Sequence, residues 1–232
     1  MGDISVIARR LADGHVQHGW SGNGGYFSMV GSRLLKWYTE PEEVEYLFSL
    51  GQLRFLGAPG SEKGGFKFME THNRTGTPHY LGISEDDIFS KIAFVDYGYL
   101  YDIDNKWYYI APVPMCIKIP LEHMVFNRDE RGFEFDYLRK LEKEILTYIL
   151  DTYVKEDVDL QFLMDEKGYD PKEILEEFKN VEYPLYEFFK GHRDIRDYFD
   201  DWVVVETNED YTEVTGFKLK RKTKKHIETC EW

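Results

Sequence analysis

The stretch YGYLYDIDNKWYYI, residues 97–110, has the pattern of a β-hairpin. Two runs rich in tyrosine flank Asp104-Asn105, and aromatic residues favour strands whereas Asp and Asn favour turns. The stretch therefore predicts two antiparallel strands in the centre of the chain.

The sequence also predicts a β-hairpin near each end of the chain. Residues 4–20 contain Asp13-Gly14 between two apolar-rich runs, and a type I′ turn needs positive φ at both of its central positions. Residues 203–222 turn through Asn208-Glu209-Asp210 and predict a third hairpin. The short strand predicted over 115–119 is surrounded by prolines, which favours an edge or irregular position.

Helical signals begin in the first half of the chain. Residues 29–38 predict one helix, and a second enters near Thr39 and ends at Gly51. A strand is predicted over 52–56.

The second half of the chain is more helical. Apolar residues recur at helical spacing over 135–152, with the i,i+4 pair Lys140 and Glu144 on the polar side. Asp170-Pro171 predicts a further helix start, and 183–202 predicts a third helix. The expected class is α+β, with the three hairpins packed against a helical second half. Residues 1–130 and 131–232 are predicted to be two parts of one continuous domain.

Length and composition limit the cellular compartment and the class of protein that we expect. A fold of 232 residues buries roughly 70 to 75% of its extended-chain surface, so a stable core can form without disulfides or a structural metal ion. Cys116 and Cys230 lie far apart, outside any metal-binding or redox spacing. No apolar run approaches the roughly 18 residues of a membrane span, and no signal peptide is evident. We therefore expect a soluble, cytoplasmic protein without a membrane partner.

Negative charge is concentrated in the later part of the chain. The net charge is −14, and residues 156–210 alone hold 18 acidic and 6 basic residues. Over 183–202, carboxylates cluster opposite the apolar face, as expected of a helix with one acidic side. The predicted partner-binding residues of this region are Glu173, Glu176, Glu177, Glu187, Asp194, Asp197 and Asp201.

The end of the chain is basic. Lys218, Lys220, Lys222 and Lys224 would share one face of a strand, where lysines typically prevent edge-to-edge association. Direct nucleic-acid binding is disfavoured because the neighbouring carboxylates oppose phosphate. The basic strand could instead neutralise the acidic helix, within the chain or in a homo-oligomer.

Catalytic signals are sparse. His72, His79 and Glu70 share a polar segment suited to acid–base chemistry, but no known catalytic motif accompanies them. Trp20, Asn23 and Tyr26 surround a glycine-rich loop and are the ligand-loop candidates. The glycine-rich stretches match neither a phosphate-binding nor a dinucleotide-binding motif. The sequence predicts no metal site and no cofactor.

Three hypotheses follow from these patterns. The leading one is a non-enzymatic acidic protein that binds a basic surface, in its most specific form a nucleic-acid-mimicking inhibitor of a DNA- or RNA-binding enzyme of the phage or mobile-element type. The second is an enzyme acting on a small polar substrate through His72, His79 and the glycine-rich loops. The third is a structural protein that self-associates through the aromatic hairpin 97–110.

Overall fold

Alternating apolar residues in the strands build one mixed sheet. The computed structural model describes residues 3–51, 53, 55–59, 81–82, 97–111, 116–127, 135–155, 170–189 and 202–220. Within these ranges, eight strands and several helices confirm the α+β class. The strands are β1 (Ser5–Arg10), β2 (Val16–Ser21), β3 (Leu81–Gly82), β4 (Tyr97–Tyr101), β5 (Trp107–Ala111), β6 (Cys116–Pro120), β7 (Trp202–Thr207) and β8 (Val214–Lys220).

The strand order across the sheet is β3-β2-β1-β4-β5-β6-β7-β8. Two neighbouring pairs, β1 with β4 and β6 with β7, are parallel, and the other pairs are antiparallel. The strands β1 and β2, β4 and β5, and β7 and β8 pair antiparallel at the three predicted positions. The parallel pairings join these three pairs into a single sheet, a connection that the sequence did not predict.

Left-handed turn residues explain two of the tight connections. Gly14 has φ 86° between β1 and β2, and Asn105 has φ 60° between β4 and β5. Glycine adopts this conformation without a steric penalty, and asparagine tolerates it better than most residues.

The prediction of an edge position for residues 115–119 is wrong. Strand β6 lies inside the sheet, between β5 and β7. The one proline of β6, Pro120, is its last residue, so the other residues of the strand keep the backbone N–H groups that an interior strand needs. Leu53, in the predicted strand 52–56, makes one isolated parallel bridge to Ser21.

The helices of the described ranges lie in both halves of the chain. They are α1 (Ser32–Trp37), which follows a π-helical turn at Phe27–Gly31, α2 (Pro41–Ser49), α3 (Leu121–Phe126), α4 (Phe135–Lys155), α5 (Pro171–Glu177), which runs into a 3-10 turn at Phe178–Asn180, and α6 (Pro184–Phe189). No helix in this part of the chain is long and apolar enough to cross a membrane.

The predicted helix over 183–202 is wrong at its last residue, and residues 190–201 lie outside the described ranges. Helix α6 covers its beginning, whereas Trp202 is the first residue of β7. Trp202 precedes three consecutive valines, whose β-branched side chains favour a strand, and it belongs to that strand.

Aromatic rings fill the core between the helices and one face of the sheet. The ring of Phe27 makes edge-to-face contacts with Tyr97, Tyr99 and Tyr109, and Phe27 and these three tyrosines are all buried. The buried Tyr99 hydroxyl donates a 2.5 Å hydrogen bond to the Gly25 carbonyl. These three tyrosines of the central hairpin therefore belong to the core of the chain itself.

Candidate interaction surface

The segment of residues 170–189 presents acidic side chains on a short, well-capped helix. Asp170 is the N-cap of α5, and its carboxylate accepts hydrogen bonds from the backbone N–H groups of Lys172 (2.7 Å) and Glu173 (2.8 Å). The carboxylate of Glu173 in turn accepts from the backbone N–H of Asp170 at 3.0 Å, which completes a capping box. The sequence forms a helix here because Asp caps it and Pro171 preorganises its first turn.

Exposed carboxylates dominate this segment. Glu173, Glu176 and Glu177 are exposed, and Glu187 on α6 is half-buried. Residues 170–189 hold six acidic residues against Lys172 and Lys179. Lys179 pairs with Glu176 at 3.0 Å, and both side chains are mostly exposed, so the pair neutralises this surface only in part. The remaining predicted partner-binding residues, Asp194, Asp197 and Asp201, lie outside the described residues.

The segment docks on α4 through an apolar interface. Ile174, Phe178, Leu185 and Phe188 are buried, and the rings of Phe178 and Phe188 meet edge to face at 6.4 Å. Polar contacts surround this interface. The Lys143 ammonium donates to the Lys179 carbonyl, and the Arg139 guanidinium lies 3.9 Å from the Glu182 carboxylate.

One carboxyl group lies inside this interface. Glu142 on α4 is only 6% exposed, and its Oε2 has no hydrogen-bond partner among the described residues. Burial raises the pKa of Glu142 to about 8. Sequence reasoning missed this residue, although Glu142 interrupts an apolar stripe at helical spacing with Leu138, Ile145 and Ile149.

A second buried polar group lies at the end of the central strands. Asp102 is 6% exposed, and its carboxylate accepts hydrogen bonds from Arg10 Nε at 2.6 Å, from the Ile103 N–H at 2.8 Å and from the Lys118 ammonium. Lys118 Nζ also lies 3.9 Å from the centre of the Tyr108 ring. Burial alone would raise the pKa of Asp102, but the Lys118 and Arg10 cations and the Ile103 N–H outweigh it and lower that pKa to about 2. The sequence signal for this buried ion pair was Lys118, a charged residue within an otherwise apolar strand.

A buried histidine connects three elements. His123 on α3 is 1% exposed, and its Nδ1 lies 2.8 Å from the Tyr211 carbonyl oxygen, while its Nε2 meets the Tyr137 hydroxyl. A carbonyl only accepts, so Nδ1 carries the proton and the hydroxyl donates to Nε2. Burial lowers the pKa of His123 and raises that of Tyr137 to about 12. The neutral imidazole thus holds the β7–β8 turn in place, a structural role.

The ligand-loop candidates Trp20, Asn23 and Tyr26 lie at the end of β2 and in the connection that follows it. Trp20 lines an apolar cleft with Phe48 and Leu53, and the Tyr26 hydroxyl contacts Met29 Sδ at 2.9 Å. The Asn23 carbonyl lies 3.5 Å from Ser21 Oγ. The acid–base candidates Glu70, His72 and His79 lie outside the described residues. Within the ranges that the structure describes, no group of three or more His, Cys, Asp or Glu side chains could hold a metal ion.

Comparison with known proteins returned no family model, no curated protein and no solved structure that matches this chain.

Proposed function

We propose that the protein is a non-enzymatic acidic interaction protein, which binds a basic surface of its partner through residues 170–189. The observation that carries the proposal is the exposure of Glu173, Glu176 and Glu177 on one capped helix, in a segment with six acidic and two basic residues.

Preorganisation supports this function. The capping box and the buried Ile174 and Phe178 hold α5 in position, so a partner would find its carboxylates already ordered. Glu173 and Glu177 lie about 6 Å apart along the helix axis, at ~1.5 Å per residue. Regular negative charge of this kind suits a groove lined with arginine or lysine, and a nucleic-acid-binding enzyme is the most specific partner class that we propose.

The sequence extends the proposed surface beyond the described residues. Asp194, Asp197 and Asp201 continue the acidic composition of the segment, with Arg193 and Arg196 among them. The proposal places these carboxylates with the same partner.

The test compares two charge-matched triple variants. Glu173→Gln/Glu176→Gln/Glu177→Gln removes the proposed surface, and glutamine at 173 preserves the capping box. The control, Asp136→Asn/Glu144→Gln/Asp151→Asn, removes three exposed carboxylates from α4.

Partners captured from lysate at low ionic strength are purified, and their affinity is measured by calorimetry at two salt concentrations. Three exposed ion pairs contribute about 0.2–1 kcal/mol each, so the first variant should lose roughly tenfold in affinity. The control should bind like the original protein, and salt should weaken binding. Recovery of no basic partner, or equal losses in both variants, would overturn the proposal.

A further inference from the structure

The interface between α4 and residues 170–189 contains a carboxyl group that its surroundings do not satisfy. Glu142 is more than nine-tenths buried, and its Oε2 receives no hydrogen bond from the described residues. Two residues that flank it on α4 contact the docked segment: the Arg139 guanidinium lies 3.9 Å from the Glu182 carboxylate, and the Lys143 ammonium donates to the Lys179 carbonyl. Glu142 therefore faces the docked segment.

Within the described ranges, no cation forms an ion pair with Glu142. From α4, Arg139 directs its guanidinium toward Asp136 (3.7 Å) and Glu182 (3.9 Å), and its Nε is buried without a partner among the described residues. From α5, the side chains of Glu173, Glu176 and Glu177 are exposed. From α6, the half-buried Glu187 is a further negative group.

Burial of a carboxylate without a partner is costly, whereas a neutral carboxylic acid is tolerated there. Ionisation of Glu142 must therefore admit water to the interface or separate its two sides. We propose that Glu142 is a proton-sensitive switch: the neutral acid keeps residues 170–189 docked on α4, and its ionisation loosens them. The raised pKa of Glu142, about 8, places the transition just above neutral pH.

The sign of the effect follows from linkage. A group whose pKa in the docked state lies above its value of 4.5 in the open state favours docking at low pH. That contribution is lost as the pH rises toward 8. If the carboxylates of residues 170–189 form the proposed partner surface, partner affinity falls over the same range, and this consequence rests on the proposed function.

Hydrogen exchange measured by mass spectrometry tests the switch without any partner. The proteins are the original chain, Glu142→Gln and the control Glu144→Gln, whose side chain lies on the exposed side of α4 and 3.8 Å from Lys140. Protection of residues 171–189 is compared at pH 6 and pH 9 after correction for intrinsic exchange, with the β4–β5 pair as internal reference.

The pKa of Glu142 is 4.5 in the open state and about 8 in the docked state, and this difference predicts a loss of protection of up to roughly 100-fold between pH 6 and pH 9. The original chain and Glu144→Gln should show this loss, and Glu142→Gln should not. Equal pH dependence in all three proteins, or constant protection in the original chain, would overturn the switch. If Glu142→Gln does not fold, carboxyl-carbon NMR of the original chain decides, because a Glu142 that titrates near 4.5 contradicts the proposal.

The two proposals fail in different ways. Loss of protection without binding of any basic partner would leave the switch intact and remove the proposed function. Binding that depends on salt but not on pH, together with constant protection, would support the proposed function and remove the switch.

Discussion

Neutralisation of Asp102 should destabilise the fold by about 3 kcal/mol at pH 7. The substitution Asp102→Asn keeps the shape of the side chain but removes the charge that compensates Lys118, which is 7% exposed. The difference between the pKa of 3.8 in the unfolded chain and about 2 in the fold corresponds to about 2.5 kcal/mol. Breaking a buried ion pair from one side costs ~3–5 kcal/mol, which sets the upper end of the expected loss.

Urea unfolding followed by circular dichroism measures this loss, and Asp151→Asn on the exposed side of α4 provides the control. The pKa of Asp102 is depressed in the fold, so its stabilisation is complete above about pH 5 and disappears as the pH falls toward 2. The stability difference between the original protein and Asp102→Asn should therefore shrink on acidification. A loss below 1 kcal/mol at pH 7, or a difference independent of pH, would refute the claim that Asp102 is held ionised by its buried partners.

Three smaller perturbations test other parts of the fold. His123→Gln should reduce the loss of stability below pH 6.5, because unfolding of the original protein at low pH allows its buried neutral imidazole to take up a proton. Urea titrations of both proteins at pH 7.5 and 5.5 test this, and an equal loss of unfolding free energy in the two proteins would contradict it. Asp170→Ala should cost about 1 kcal/mol through loss of the N-cap, and unchanged thermal stability would argue against the capping box. Gly14→Ala should cost ~1 kcal/mol because φ is 86° there, even though a methyl group meets no atom within 4 Å; an unaffected urea midpoint would mean that the turn relaxes.

Local patterns in the sequence predicted individual elements well. The helical spacing after residue 135 corresponds to α4, Asp170-Pro171 begins α5 through its capping box, and Asp13-Gly14 connects β1 and β2. Each of these signals involves neighbours along the chain, so each can be recognised without knowledge of the tertiary structure.

Features that depend on distant residues escaped prediction. The parallel pairings of β1 with β4 and of β6 with β7 join segments far apart in the chain, and nothing in either local pattern specifies such a partner. Residues 115–119 resembled an edge because prolines surround them, whereas the parallel partner β7 places β6 inside the sheet.

The candidate site was predicted only in its composition. Exposure of Glu173, Glu176 and Glu177 agrees with the acidic pattern of the segment. The buried state of Glu142 depends on which segment covers α4, and the charge of Asp102 depends on Lys118 and Arg10 from two other strands. Such tertiary neighbours decide the protonation of a carboxyl group, and a single sequence does not reveal them.

The two parallel pairings also have a consequence for the order of folding. Strands β4, β5 and β6 are close in sequence and can associate early, whereas pairing Ser5 with Tyr97 and Cys116 with Trp202 brings together residues that are separated by long stretches of chain. Bringing such distant residues together costs entropy before the contacts that compensate it form. The N-terminal pair β1–β2 and the C-terminal pair β7–β8 should therefore join a preformed central meander late, and refolding should be slow for a chain of this size.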